Sequence, residues 1–223
     1  MKLIIINYGS GNLRSVAKAF ERAGADSGWR GKVSVSDDPE TVQGADYIVL
    51  PGVGAFGDCA RGLQAVTGMR DALIDAVREK QRPFLGICVG MQLMADRGLE
   101  HGVHQGLGWI GGEVRAMTPG NPDMPEGSGG QLKIPHMGWN TLALRGSGVS
   151  HPVLSGMDAR DCYFLHSYQF IASHPGDILA ETEYGGPVTA AIGRDNMLGV
   201  QFHPEKSQTP GLQLLANFLR WKP

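Results

Sequence analysis

Cys88 has a glycine two residues to either side, in Phe84-Leu85-Gly86-Ile87-Cys88-Val89-Gly90. An apolar run leads into it and a helix-like pattern over 89–95 leaves it, so the thiol falls at a strand-to-helix junction. This is the cysteine form of a nucleophile elbow. A sharp turn lifts the nucleophile clear of the sheet, and glycines flank it because side chains there would strike the neighbouring strand and helix. The N–H groups that open the helix favour a thiolate and can hold an oxyanion. A free cysteine at the end of an apolar strand is otherwise simply buried; the paired glycines tip the reading to a nucleophile. Cys59 and Cys162 have no such setting and read as structural.

A thiol nucleophile needs a base. Leu198-Gly199-Val200-Gln201-Phe202-His203-Pro204-Glu205 ends a strand with a histidine and, two residues on, a carboxylate. Residues two apart on an extended chain project to one side, and Pro204 stiffens the bend between them. The carboxylate can fix the imidazole tautomer and leave its other nitrogen to exchange a proton with the thiol. On the residues alone, a strand-end histidine beside a solvated charge remains an alternative. His166, in Phe164-Leu165-His166-Ser167-Tyr168, is the competing base, without an acidic neighbour in sequence. The seven histidines lack paired ligand spacing and the cysteines lack C-x-x-C, so no metal site is expected.

These groups require elements to hold them. Lys2 to Tyr8 is an apolar run ending in Gly9-Ser10-Gly11-Asn12, a buried strand breaking into a turn. Asn12 is placed to cap a helix in which Leu13, Val16, Ala17 and Phe20 recur up to Gly24. Strands are expected at 32–36, 47–50 and 83–87, the second stopped by Pro51-Gly52-Val53-Gly54, with helix over 59–80 in two pieces broken near Gly68. Strand–helix alternation argues for a parallel sheet with helices on both faces. The second half changes character. Residues 109–117, 133–144, 163–172, 178–184, 187–194 and 197–202 read as strands of an antiparallel annex continuing the same sheet, and 210–221 as a closing helix. The stretch 119–130, rich in Pro and Gly, reads as a mobile surface loop. The expectation is one domain over 1–223, an α/β fold with a mixed, largely parallel sheet.

Composition narrows the function class. The 223 residues are 42% hydrophobic and 19% charged, with a formal net charge of −2 and scattered Lys and Arg, which disfavours nucleic acid. No stretch of about 18 apolar residues exists to span a membrane. Three widely spaced cysteines do not make a disulfide framework, and a reducing cytoplasm is the default.

Three separated signatures together resemble the class I, triad-type glutamine amidotransferase family: Pro51-Gly52-Val53-Gly54, Gly86-Ile87-Cys88-Val89-Gly90-Met91-Gln92, and Phe202-His203-Pro204-Glu205. The resemblance spans most of the chain and implies a flavodoxin-like core, no cofactor, and a Cys-His-Glu triad on Cys88, His203 and Glu205. It implies an oxyanion hole from Val89 and Val53, with Gly52 beside it. It also implies glutamine contacts from Gln92, Glu100, Ser167 and Tyr168; Glu100 reads equally as an exposed helix-end charge. Gly52 and Gly54 would let the Val53 peptide take two orientations, only one of them aimed at the oxyanion.

Within the family, Asn7-Tyr8-Gly9-Ser10-Gly11-Asn12, Pro135-His136-Met137-Gly138-Trp139-Asn140 and Tyr163-Phe164-Leu165-His166-Ser167-Tyr168, with Lys206, are similar to the glutaminase subunits of imidazole glycerol phosphate synthases. That likeness implies a cyclase partner in a heterodimer and an interface on Met137, Trp139, Asn140, Tyr163 and Lys206. The segment 27–31 is longer than the usual connection there. Rival readings are the glutaminase subunits of anthranilate, aminodeoxychorismate or GMP synthesis, a cysteine peptidase or amidase, and a scaffold that only binds a partner.

Overall fold

The computed structural model describes residues 1–118 and 132–223; the loop expected at 119–130 lies outside the described residues. The first half alternates as β1 (Lys2–Ile6), α1 (Leu13–Ser27), β2 (Lys32–Ser36), α2 (Pro39–Gln43), β3 (Tyr47–Gly52), α3 (Phe56–Ala65), α4 (Met69–Leu73), β4 (Phe84–Cys88) and α5 (Val89–Gln92). A wider π-type turn extends α4 from Ile74 to Glu79. The rest adds β5 (Arg97–Gly98), β6 (His104–Gln105), β7 (Gly112–Ala116), β8 (His136–Thr141), β9 (Ala143–Leu144), β10 (Asp161–His166), β11 (Tyr168–Ala172), β12 (Ile178–Glu183), β13 (Pro187–Arg194), β14 (Met197–Val200) and α6 (Gln208–Arg220).

The main sheet runs β2-β1-β3-β4-β14-β13-β12-β9, parallel from β2 to β14 and antiparallel beyond. β1 to β2 steps one way along it and β3 to β4 the other. Right-handed crossovers therefore put α1 on one face and α3 and α4 on the opposite face. Every residue of β3 and β4 is buried, as strands covered on both faces must be.

The annex divides, where a single continued sheet was expected. Among the described residues only β9, β12, β13 and β14 extend the main sheet; β8 pairs with β10, and β11-β7-β5-β6 form a third sheet. The run 163–172 is accordingly two strands, broken at Ser167, which turns the chain from one small sheet into the other. Residues 133–144 likewise divide into β8 and β9.

Two local expectations are corrected. Asn12 occupies the cap position of α1 but makes no side-chain capping bond. The helix runs past Gly24 to Ser27, because the bare Gly24 lets the Trp29 ring pack close, 3.3 Å from where a Cβ would stand. Gly28 then turns left-handed at φ 71°, and Trp29 N–H closes on the Gly24 carbonyl at 2.9 Å. The extra length at 27–31 is thus a helix end and an aromatic anchor, Trp29 lying edge-on to Tyr47. The short helix α2 has a clear start signal, Asp38 accepting from the Glu40 and Thr41 N–H groups ahead of Pro39. Among the described residues no helix is long and apolar enough to cross a membrane.

Candidate active site

β4 delivers Cys88 at its carboxyl end in a left-handed conformation, φ 54° and ψ −112°. Such a backbone costs a non-glycine residue about 1–3 kcal/mol and persists only where its surroundings enforce it. The enforcement comes from close backbone packing. A Cβ on Gly86 would lie 2.6 Å from the Gly90 carbonyl oxygen, and one on Gly90 only 1.7 Å from that of Leu50 in β3.

The helix behind the nucleophile is shorter than the expected 89–95. Only Val89 to Gln92 are helical, because the carbonyls of Leu93, Met94, Ala95 and Asp96 are taken by N–H groups of residues 106–110. One turn carries little macrodipole. Charge complementarity to Cys88 therefore has to come from elsewhere.

It comes from His203. β14 lies parallel beside β4, with Val200 opposite Ile87, so its carboxyl end opens at the elbow. The His203 N–H is anchored on the Tyr163 carbonyl at 2.9 Å, and its own carbonyl accepts from Ser207 Oγ at 2.7 Å. Pro204 starts a 3-10 turn through Lys206. Glu205 therefore meets His203 by a turn and not by strand alternation, its Oε1 2.9 Å from Nδ1. Burial would drive the proton off His203, but the Cys88 thiol and Glu205 carboxylate outweigh it and push the imidazole up to about 10. At neutral pH His203 is held as an acid. His166, the competing base, is pushed down to about 4, chiefly by burial, and no carboxylate partners it among the described residues.

These groups open on a cavity of about 290 Å³, at the small end of ligand pockets and suited to one amino acid. Cys88, Val89, His203 and Val53 line it, together with Gln92, Glu100, His166, Ser167, Tyr168 and Lys206 among others. Glu100 is not merely a solvated charge, since its Oε2 accepts the Phe56 N–H at 2.6 Å at the start of α3. Gln92 is buried, and its Nε2 donates to the Tyr168 carbonyl at 3.1 Å and to Gln201 Oε1 at 3.0 Å.

The Val53 N–H is engaged elsewhere. It donates to Ser10 Oγ at 3.1 Å, and Ser10 Oγ donates back to the Val53 carbonyl at 2.7 Å. The Cys59 thiol reaches the same carbonyl at 3.4 Å. Gly54 is left-handed at φ 92°, but Gly52 is not; it is bare because Tyr8 Oη and the Gly90 nitrogen crowd it.

Met137, Trp139, Asn140 and Tyr163 lie on the β8–β10 pair, outside the cavity. Met137 is 64% exposed and Trp139 48%, so neither is core. Trp139 and Tyr163 pack edge to face at 5.9 Å, and Lys206 Nζ lies 5.6 Å from the Tyr163 ring centre. Lys206 thus belongs to both the cavity wall and this outer face.

Gln201 is a site residue that sequence reasoning passes over. It is fully buried, and its Nε2 lies 3.7 Å from Cys88 Sγ. The available signal was a polar residue two places before His203 in an apolar strand. Ser10 gave no such signal, because its contact with Val53 is made across 43 residues of chain.

A buried cysteine at a strained elbow, faced by a carboxylate-paired histidine from the adjacent strand, defines an amide-cleaving or acyl-transferring α/β enzyme. The sequence model described as glutamine amidotransferase class-I matches residues 4–221, and the chain belongs to that family. It is 56% identical over 227 residues to the imidazole glycerol phosphate synthase subunit HisH of Agrobacterium fabrum, and 55% identical over 224 residues to that of Rhodospirillum rubrum. Both alignments cover 100% of each chain. Among solved structures, a glutamine amidotransferase superposes with a TM-score of 0.66 at 18% identity, over 96% of this chain and 98% of that one. Another, from Thermotoga maritima, gives 0.59 at 16% identity over 92% and 76%. At such identities these two speak for the fold.

Proposed function

We propose that the chain is a glutaminase subunit that hydrolyses L-glutamine and passes the ammonia to a cyclase partner, which makes imidazole glycerol phosphate and an aminoimidazole carboxamide ribotide in histidine biosynthesis. The observation that carries the chemistry is the meeting of Cys88, His203 and Glu205 at the carboxyl ends of adjacent strands, where α/β sheets work. Full-length relatives named as imidazole glycerol phosphate synthase subunits support the pathway and the partner. The cysteine pattern supports a reducing cytoplasm.

With the proton of the Cys88–His203 pair already on the imidazole, the Cys88 sulfur attacks the glutamine carboxamide carbon. Val89 N–H, with Val53 N–H once its peptide turns, holds the tetrahedral oxygen. His203 protonates the nitrogen, the C–N bond breaks and ammonia leaves. Water, deprotonated by His203, then cleaves the thioester to release glutamate and free Cys88. Glu205 keeps the His203 Nε2 turned to the thiol. Gln92, Glu100, Ser167 and Tyr168 hold the amino-acid end, Glu100 against the α-ammonium.

The test is Cys88→Ala in the complex. Glutamine-dependent synthesis is expected to vanish while free ammonium still supports the partner's reaction, since only the nitrogen supply is lost. Near-normal use of glutamine by this variant, with Cys59 or Cys162 alkylated instead of Cys88, would remove the assignment.

A further inference from the structure

Two histidines outside the proposed triad are buried against each other. His136 opens β8 and His166 closes β10, and they are register partners across that pair. His136 Nδ1 and His166 Nε2 stand 3.0 Å apart. The His136 ring is also stacked between Phe164 and Tyr184, with centroids at 4.7 and 4.0 Å.

The surroundings leave one arrangement of protons. The Tyr168 carbonyl, 2.9 Å from His166 Nδ1, can only accept, so Nδ1 carries a proton. At the far end Asn140 Oδ1 accepts the Thr141 N–H at 2.8 Å and Nδ2 donates to the Glu183 carbonyl at 2.8 Å, which fixes the amide orientation. Its second amide hydrogen points to His136 Nε2 at 3.3 Å, which must hold a lone pair. His136 Nδ1 then bears the proton aimed at His166 Nε2. The line Asn140, His136, His166, Tyr168 is satisfied at every atom with both rings neutral. Adding a proton at His166 Nε2 would force the His136 proton to its other nitrogen, against the Asn140 amide.

The line does not stop there. The Tyr168 carbonyl also accepts from Gln92, which is bonded to Gln201, which reaches Cys88. The ionisable groups around His166 are His136 on β8 with Tyr184 stacked on it, Cys88, His203, Glu100, Tyr168 and Lys206, which line the same cavity, and Glu205 bonded to His203.

We propose that His136 is a positioning residue: it locks His166 as the neutral Nδ1-protonated tautomer, closes Nε2 to Cys88, and ties the exposed strand β8 to the glutamine pocket. Without it, His166 Nε2 is a buried acceptor lacking a donor, which takes up a proton more readily and loosens the wall at 165–168. Burial already holds both imidazoles down, each to about 4, in the same direction. The catalytic consequence rests on the glutaminase reading; the tautomer does not.

Two-bond ¹H–¹⁵N spectra of the ¹⁵N-histidine-labelled full chain, recorded from pH 4 to 8, test it together with glutamine kinetics in the complex. Wild-type His166 is expected as the neutral Nδ1–H tautomer at pH 7. His136→Phe keeps the aromatic stack and removes both hydrogen bonds. It is expected to raise the His166 titration midpoint by about one pH unit. It should also raise KM for glutamine roughly 3- to 10-fold, with kcat within about twofold. His136→Asn, whose amide nitrogen takes the place of Nδ1, should recover most of both. An Nε2–H tautomer or an imidazolium at His166 in the wild type overturns the proposal, even if neither variant folds. So does a folded His136→Phe with midpoint and KM unchanged. A chain that shows the tautomer and the shifted midpoint but cleaves no glutamine would sink the glutaminase reading and leave the locked His166 standing.

Discussion

At the scale of single residues, His203 is where opposed influences are decided. Burial opposes its charge, and Cys88 and Glu205 together reverse that, taking the imidazole from an ordinary value of 6.5 to about 10. The sign of the linkage follows. Between these two pH values the folded chain holds a proton that the unfolded chain has released, so stability falls as pH rises across the window. The contribution is present in full below about 6.5 and is lost as pH passes through about 10. The stability difference between wild type and His203→Gln, from urea unfolding at pH 6, 8 and 10, is therefore expected to shrink steadily with pH. A difference that stays flat, or grows, would mean that His203 is not held as a cation beside Cys88. Cys88, His203 and Glu205 are legible in sequence because each bears a local mark: flanking glycines, a strand end, a rigid proline. Gln201 bears only a faint one, a polar residue in an apolar run, and His136 none, since their partners lie 113 and 30 residues away.

At the scale of elements, the parallel strands and their helices can be read from apolar runs, because strands covered on both faces have few polar positions. The division of the annex cannot. β10 and β11 are continuous in pattern, and only the bend at Ser167 assigns them to different sheets, which long-range pairing decides. The turn after β3 is equally hidden from local pattern. Its Val53 peptide is held by Ser10 from the turn after β1, through both its N–H and its carbonyl. Ser10 is thus expected to be a latch that keeps the oxyanion donor turned away. Removing these two neutral hydrogen bonds shifts such an equilibrium by roughly 5- to 100-fold. Ser10→Ala should raise glutamate release by the isolated chain by that factor and reduce partner activation correspondingly. A basal rate that stays the same or falls, in a folded variant, would show that the hydroxyl does not hold the peptide back.

At the scale of the whole molecule, the cavity and the outer β8–β10 face are parts of one surface, because Lys206 lines the first and packs on Tyr163 in the second. Met137 and Trp139 stand exposed beside them, and rigid aromatics with an adjacent cation are common interface anchors. A partner seated there would press on the wall that carries Ser167 and Tyr168 and on the mouth near Val53. Ammonia released with no acceptor ready is wasted, so a donor that serves a partner subunit gains from waiting. The Val53 N–H is bonded to Ser10, so the oxyanion hole proposed here would lack one of its donors. A missing oxyanion donor costs about 10²–10³-fold in turnover, so partner and acceptor together should accelerate glutamine hydrolysis by at least that order. The measurement is glutamate release by the chain alone, with the cyclase, and with the cyclase plus an acceptor analogue. The isolated chain is expected to be slow and the ternary complex fast, with Trp139→Ala weakening the response by lowering partner affinity. Equal rates in all three conditions would dismiss gating at Val53 while leaving the roles of Cys88, His203 and Glu205 intact.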